Sequence, residues 1–230
     1  MGTSEISREV EYSSSEQSKV HDFKINDKNF IKLIVPPTVY PPRRDTKLLL
    51  KGLERINMQP GNLVEIGCGS GAISIAKALE GWNVTAFDVN PLAVVATRGN
   101  SEVAGLNERI TVEEGGIGEE HWKLPSDVDL VVWNLPYLTP DLDNTLGPME
   151  EAALTDDQLR GWSEQLLELA NEESQYGTIF VLLMNPDSNP KNSPLTWLRK
   201  GWSKRSLAIE KVGDDTLEAV SYTHLRAHET

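Results

Sequence analysis

The chain has 230 residues, of which 39% are hydrophobic and 25% charged, enough apolar material for a full core and too polar for a membrane protein. A net charge of −13, from 35 acidic and 22 basic residues, argues against a nucleic acid held by its phosphates and suits solubility or a basic protein partner. The single cysteine, Cys68, excludes an internal disulfide and a cysteine-cluster zinc site. No apolar run approaches ~18 residues and residues 1–24 hold no apolar signal core, so no membrane contact and a cytoplasmic protein are expected.

Residues 1–24 are rich in Ser and charge without periodicity and are expected to be a disordered tail. The β-branched run from Phe30 meets Pro36-Pro37, and Pro41-Pro42 make Thr38–Pro42 a stiff, extended segment. Asp45 caps a helical pattern, Thr46–Ile56, with Leu48, Leu49, Leu53 and Ile56 as its apolar stripe; residues 25–58 thus form an N-terminal segment and helix. From there strands and helices alternate. Strands are expected at Leu63–Ile66, Val84–Val89, Ile110–Val112, Val128–Trp133, Gly177–Met184, Ser206–Lys211 and from Leu217. Helices are expected at Ala72–Leu79, from Asn90-Pro91 to about Ala104, from Thr155 to about Asn171, and at Leu195–Trp202. This alternation predicts a parallel sheet covered on both faces, over residues 59–220. The last ten residues, Ser221–Thr230, continue no pattern and resemble a translated adapter sequence, so they are expected to be non-native and outside the fold, the natural terminus then being missing.

Two stretches carry chemistry. Glu65-Ile66-Gly67-Cys68-Gly69-Ser70-Gly71 follows a strand and opens a helix, so its glycines allow a tight turn and close approach of a ligand to the backbone. Asp88, at the end of the next strand, is placed to accept ribose hydroxyls. Strand, loop, helix, strand and acidic residue in that order predict a nucleoside site; Cys68 within the loop is expected to be structural. The second stretch, Asn134-Leu135-Pro136-Tyr137, ends a buried strand at the carboxyl edge, where such sheets place their ligand crevice. There the Asn134 oxygen and the Leu135 carbonyl can each accept one N–H of a planar NH2 group. Pro136 stiffens the turn, and Tyr137 can pack on the planar group. His121, beside Trp122, reads as loop packing, and Trp133, Trp162 and Trp197 as core.

The glycine spacing resembles the first motif of the class I methyltransferases, which bind S-adenosylmethionine in a Rossmann-like, mostly parallel seven-stranded sheet with the last strand antiparallel. The resemblance assigns cofactor contacts to Glu65, Gly67, Gly69, Gly71 and Asp88, with Asn134 beside the methyl group. It also expects an acidic residue after the third strand, where Gly115-Gly116 stand instead and Glu113 or Glu114 would substitute. Asn134–Tyr137 resembles the Asn-Pro-Pro-Tyr signature of enzymes that alkylate planar NH2 groups, with Leu135 departing from it. Val39–Thr46 followed by Leu48–Leu50 resembles the opening of the HemK-type N5-glutamine methyltransferases, in the eukaryotic and archaeal branch that lacks an N-terminal helical bundle. That branch implies that Asp45 and Thr46 lie against the cofactor. It also implies a Glu-Ala element at Glu150–Leu154, the Gly-Gly-Gln loop of a class 1 release factor as substrate, and a small zinc-containing activator subunit. An N6-adenine methyltransferase acting on RNA or DNA is the alternative enzyme, with Arg43, Arg44, Arg199, Lys200, Lys204 and Arg205 as its partial basic surface. A non-catalytic binding module is the alternative of another class, disfavoured by the intact Asn134 and Tyr137.

Overall fold

The computed structural model describes residues 17–25, 29–137, 156, 161–212 and 215–225. Its first element is an antiparallel hairpin of β1 (Lys19–Lys24) and β2 (Phe30–Val35), so the part of the expected disordered tail from Lys19 onward is strand. Burial along these strands alternates: Phe23, Leu33 and Val35 are buried while Val20, Asp22, Lys32 and Ile34 face out. That two-residue period is what a sheet with one covered face requires.

Helix α1 (Arg44–Leu53) begins two residues earlier than its apolar stripe suggests, with Arg43 as N-cap and Asp45 inside the first turn. Then follow β3 (Asn62–Ile66), α2 (Ala72–Leu79), β4 (Asn83–Asp88), α3 (Pro91–Val103), β5 (Ile110–Glu114), β6 (Leu130–Asn134), α4 (Trp162–Glu173), β7 (Ile179–Met184), α5 (Pro194–Arg199), β8 (Trp202–Val212) and β9 (Asp215–His224). α3 starts as read, with the Asn90 side chain accepting from Leu92 N and Pro91 in the first turn. α4 does not: Asp156 is not helical, and Gly161, at φ 60°, caps a helix that begins at Trp162. Thr155 and Glu150–Leu154 lie outside the described residues.

Seven strands form one sheet in the order β5-β4-β3-β6-β7-β9-β8, parallel except for β9, which is antiparallel to both of its neighbours. Neighbouring residues of the inner strands point to opposite faces. Leu63, Val132 and Val181 join the core under α1, α2 and α3, whereas Val64, Val131 and Leu182 join the one under α4 and α5. Apolar runs without alternation are the signature of strands buried on both faces. β9 extends through Ser221–His224, so these residues belong to the sheet: Tyr222 is fully buried and stacks on Trp197 at 4.3 Å between ring centroids. The sheet thus reaches four residues into the segment expected to lie outside the fold.

Because β3, β4 and β6 are parallel and in register, their carboxyl ends at Ile66, Asp88 and Asn134 come together at one edge. From β3 the chain moves outward to β4 and β5, then returns to β6 on the other side. That reversal opens a crevice at the strand ends. α1 closes the first face by lying across β8 and β9. A Cβ added at its Gly52 would stand 2.8 Å from Ala219 Cβ and 3.4 Å from Leu207 Cβ. Alanine is the better helix former by about 1 kcal/mol, but none of these atoms can rotate away, and overpacking costs about 1–3 kcal/mol. Gly52→Ala is therefore expected to lower stability by up to about 2 kcal/mol in denaturant unfolding; a variant more stable than the parent by about 1 kcal/mol, the bare helix-propensity gain, would mean that α1 does not seat on β9 at this residue.

Candidate functional site

The crevice is a cavity of about 510 Å³, within the size range of small-molecule sites. Its floor is the glycine loop between β3 and α2, where Gly67, Gly69 and Gly71 have φ of 66°, 56° and 82°. These left-handed values are strained for any side chain, and at Gly71 a Cβ would also meet Thr97 Cγ2 at 2.9 Å. Asp88 fixes the loop: its Oδ2 accepts from Gly69 N at 2.8 Å and its Oδ1 from Asn90 N at 2.9 Å. Thr97 of α3 donates to Gly69 O from the other side. Asp88 borders the cavity, and each of its oxygens keeps a further lone pair. Burial raises its carboxyl above the ordinary value, against the pull of those two backbone donors.

Thr38, Val39, Tyr40 and Pro42 form the opposite wall. Two asparagines of α3 and its cap hold this segment. Asn90 Nδ2 donates to Thr38 O and Oγ1, where Thr38 has φ 66°. Asn100, 2% exposed, pairs with both the N–H and the C=O of Ile34 and donates in addition to Ser70 O. One buried amide thereby joins β2 to the glycine loop. The sequence marks Asn90 as a cap, but Asn100 is legible only as an amide on a helix face otherwise made of Ala93, Val94, Ala96 and Thr97.

The residues singled out for chemistry divide. Glu65, Gly67, Gly69, Asp88, Thr46, Asn134 and Pro136 border the cavity; Asp45, Gly71, Leu135 and Tyr137 are not among the residues that do. Leu135 is buried in the core and donates to Leu183 O, and Tyr137 packs, half-buried, against the other core face. Asp45 instead turns its carboxylate to Asn134: Oδ2 accepts from Asn134 Nδ2 at 2.9 Å, while Oδ1 accepts from Thr46 N at 2.7 Å. This leaves Asn134 Oδ1 buried with no protein partner. Buried polar atoms are almost always paired, so an orphan acceptor in a cavity wall marks a position for a ligand donor. Of the tryptophans read as core only Trp197 is wholly so, since Trp133 and Trp162 also wall the cavity, 6.1 Å apart by ring centroid. Past β5 it is Glu119, rather than Glu113 or Glu114, that reaches the cavity. His121 is exposed, and Cys68 is buried in the loop with its thiol pushed well above its ordinary pKa by desolvation and by Asp88 and Glu65. Among the described residues no group of acidic, His or Cys side chains could hold a metal ion, and no helix is long and apolar enough to cross a membrane.

Glu65 lies wholly buried at the cavity floor and accepts a hydrogen bond from Ser74 Oγ. Burial pushes its carboxyl from 4.5 up to about 8; hydrogen bonds from Ser74 oppose the rise and Asp88 adds to it. Below 4.5 folded and unfolded chains are both protonated here. Between 4.5 and about 8 the unfolded chain has lost this proton and the folded chain keeps it, so Glu65 lowers stability progressively as pH rises through that window. Glu65→Gln without ligand should therefore unfold at a higher temperature than the parent at pH 8, by a margin that shrinks toward pH 5. An equal margin at both pH values would mean that the folded protein carries Glu65 ionised.

The ribosomal protein L11 methyltransferase family matches residues 43–144. A protein of Methanocaldococcus jannaschii whose name proposes protein N5-glutamine methyltransferase activity is 34% identical over 117 residues, half of this chain and 56% of that one. The chain spans about half, or less, of the length of the first curated relatives it matches. Among solved structures, the E. cuniculi Mtq2–Trm112 complex, responsible for methylation of the eRF1 translation termination factor, aligns with a TM-score of 0.58 at 21% identity, over 81% of this chain and 99% of that one. The T. thermophilus 16S rRNA N2 G1207 methyltransferase, solved with S-adenosylmethionine and guanosine, aligns with a TM-score of 0.65 at 18% identity, over 91% of this chain and 51% of that one.

Proposed function

We propose that this chain, one of the class I S-adenosylmethionine-dependent methyltransferases, moves the methyl group of that cofactor onto the side-chain amide of a protein glutamine, in the Gly-Gly-Gln loop of a peptide-chain release factor. The observation that carries the reading is Asn134 Oδ1, a buried acceptor left unpaired at the cavity wall. The cavity's chemistry fits the cofactor: a glycine floor open to close approach, Asp88 free to accept ribose hydroxyls, and Glu119 toward the end beyond β5. When bound, the cofactor supplies an electrophilic methyl group.

An amide nitrogen is a poor nucleophile because its lone pair is delocalised into the carbonyl. Asn134 Oδ1 accepting one N–H would hold the nitrogen in place and favour its becoming tetrahedral; the Leu135 carbonyl, expected to accept the other, belongs to a residue that does not border the cavity. Held in line with its target, such a nitrogen needs no strong base before transfer, since positioning lowers much of the barrier. Gly67 and Gly69 would lie under the cofactor, with Thr46 and Glu65 beside it, while Gly71 would serve the turn into α2.

The named N5-glutamine methyltransferase relative supports the glutamine substrate, and the two-chain Mtq2–Trm112 assembly supports a small activator subunit as partner. α3 leaves Leu92, Val95 and Val103 exposed in a row, a surface suited to such a subunit. The paired Trp133 and Trp162 favour a second reading, an N6-adenine methyltransferase whose planar base they would stack, and the charge of −13 weighs against it.

The test offers radiolabelled S-adenosylmethionine with a release factor, its loop Gln→Ala control and a structured RNA, each with and without a candidate activator. Label is expected on the loop glutamine only, with kcat reduced ~100-fold or more in Asn134→Ala, the scale seen when one transition-state hydrogen bond is removed. Label on RNA alone would sink the glutamine reading.

A further inference from the structure

An asparagine amide has two ends of opposite polarity in nearly the same volume. Turned by 180°, Asn134 would offer the cavity an NH2 group, which repels the N–H of any NH2 substrate. Nothing in Asn134 itself prevents that turn. We propose that Asp45 is the positioning residue that sets the polarity of Asn134, and with it the selectivity of the cavity for a substrate that donates a hydrogen bond; this rests on the glutamine reading of the site.

Asp45 lies 3% exposed in the first turn of α1, and its carboxylate has only acceptors to offer. One oxygen is occupied by the Thr46 N–H and hydroxyl, at 2.7 and 3.3 Å, while Thr46 Oγ1 in turn accepts from Arg43 N at 3.2 Å. The helix start thereby locks the carboxylate, whose other oxygen takes Asn134 Nδ2 at 2.9 Å. A turned Asn134 would set its own oxygen against that carboxylate, two buried acceptors facing each other. Asp45 stands outside the residues that border the cavity, so it acts on substrate only through Asn134. The N–H partners of the carboxylate are backbone and side-chain groups of α1 and β6, joining the helix that covers the sheet to the strand end that carries the chemistry.

The substitutions rank in an order that a plain structural role would reverse. In Asp45→Asn the new oxygen is drawn to the Thr46 N–H, the fixed donor of the helix. Its NH2 then faces Asn134, which turns its oxygen inward and its NH2 to the cavity. The variant keeps size and packing and inverts the polarity. Asp45→Ala removes the partner and leaves Asn134 free to take either orientation. Loss of kcat should therefore be the larger in Asp45→Asn, ~100-fold against ~10-fold in Asp45→Ala, although Asp45→Asn is the more stable of the two. Cofactor affinity, measured by calorimetry on the ligand-free protein, should stay within a few-fold in both. In the Asn134→Ala background Asp45→Asn should add nothing further.

A second readout needs no turnover. The side-chain NH2 signal of Asn134 in 15N-resolved spectra, identified by its absence in Asn134→Ala, should be protected from solvent exchange in the parent. In Asp45→Asn it should exchange quickly, as the NH2 then faces the cavity. Kinetic ranking and exchange both as stated, on the loop glutamine, would support the inference. The exchange pattern with no label on any substrate would keep the polarity role and remove the glutamine reading. Asp45→Asn milder than Asp45→Ala, or an NH2 signal equally protected in parent and Asp45→Asn, would overturn it.

Discussion

The hydrogen bond from Gly69 N to Asp88 Oδ2 is the constraint on which the cavity depends. A loop with three residues of positive φ has a single bond to the neighbouring strand, Cys68 N to Phe87 O, and the rest of its hold must come from side chains. The carboxylate at the end of β4 supplies it, gripping the loop with one oxygen and the start of α3 with the other. Two connections that leave the sheet at neighbouring strands are thus tied at one residue. The same residue then remains available, at the rim, to a ligand. A group that shapes the floor and also borders the cavity cannot be replaced without disturbing the loop, so a loss of ligand binding on substitution at Asp88 would not separate the two.

The opposite wall is built by different means. Thr38–Pro42 has prolines instead of strand pairing; the Asn90 amide holds it at Thr38, and the Asn100 amide of α3 holds the strand before it at Ile34. Asn100 satisfies both backbone groups of Ile34 much as a neighbouring strand would, at the price of burying a side chain whose every polar atom must be paired. Hydrophobic contact alone would fix the depth of this wall; paired amides fix its register as well.

The alternation of strands and helices was legible from the sequence because β3, β4, β6 and β7 are short apolar runs bounded by turn residues. The glycine loop and the acidic strand end were legible because their chemistry is local. Other features were not. Lys19–Lys24 pairs in a hairpin even though it reads as polar chain, since its two apolar residues, Val20 and Phe23, stand three apart and only Phe23 is buried. The start of α4 is set by Gly161 and the contacts of Asp156, a long-range matter that the apolar stripe does not record. The link from Asp45 to Asn134 spans 89 residues and shows in the sequence only as two separate motifs. Trp133 looks like core because most of it is core; its one bordering edge depends on where the glycine loop passes.

β9 follows β8 in the chain yet lies between β7 and β8. During synthesis the central strands can therefore assemble while β8 has no place to pair, and the last two strands must join the sheet together. α1 is made early, but it packs most heavily on β8 and β9, with β7, β6 and α2 under the rest, so its seat is incomplete until they arrive. Asp45 rides on α1. The Asp45–Asn134 hydrogen bond at the far end of β6 is thus secured only by the last part of the sheet to form, and a nascent chain can hold a finished glycine loop before that link exists.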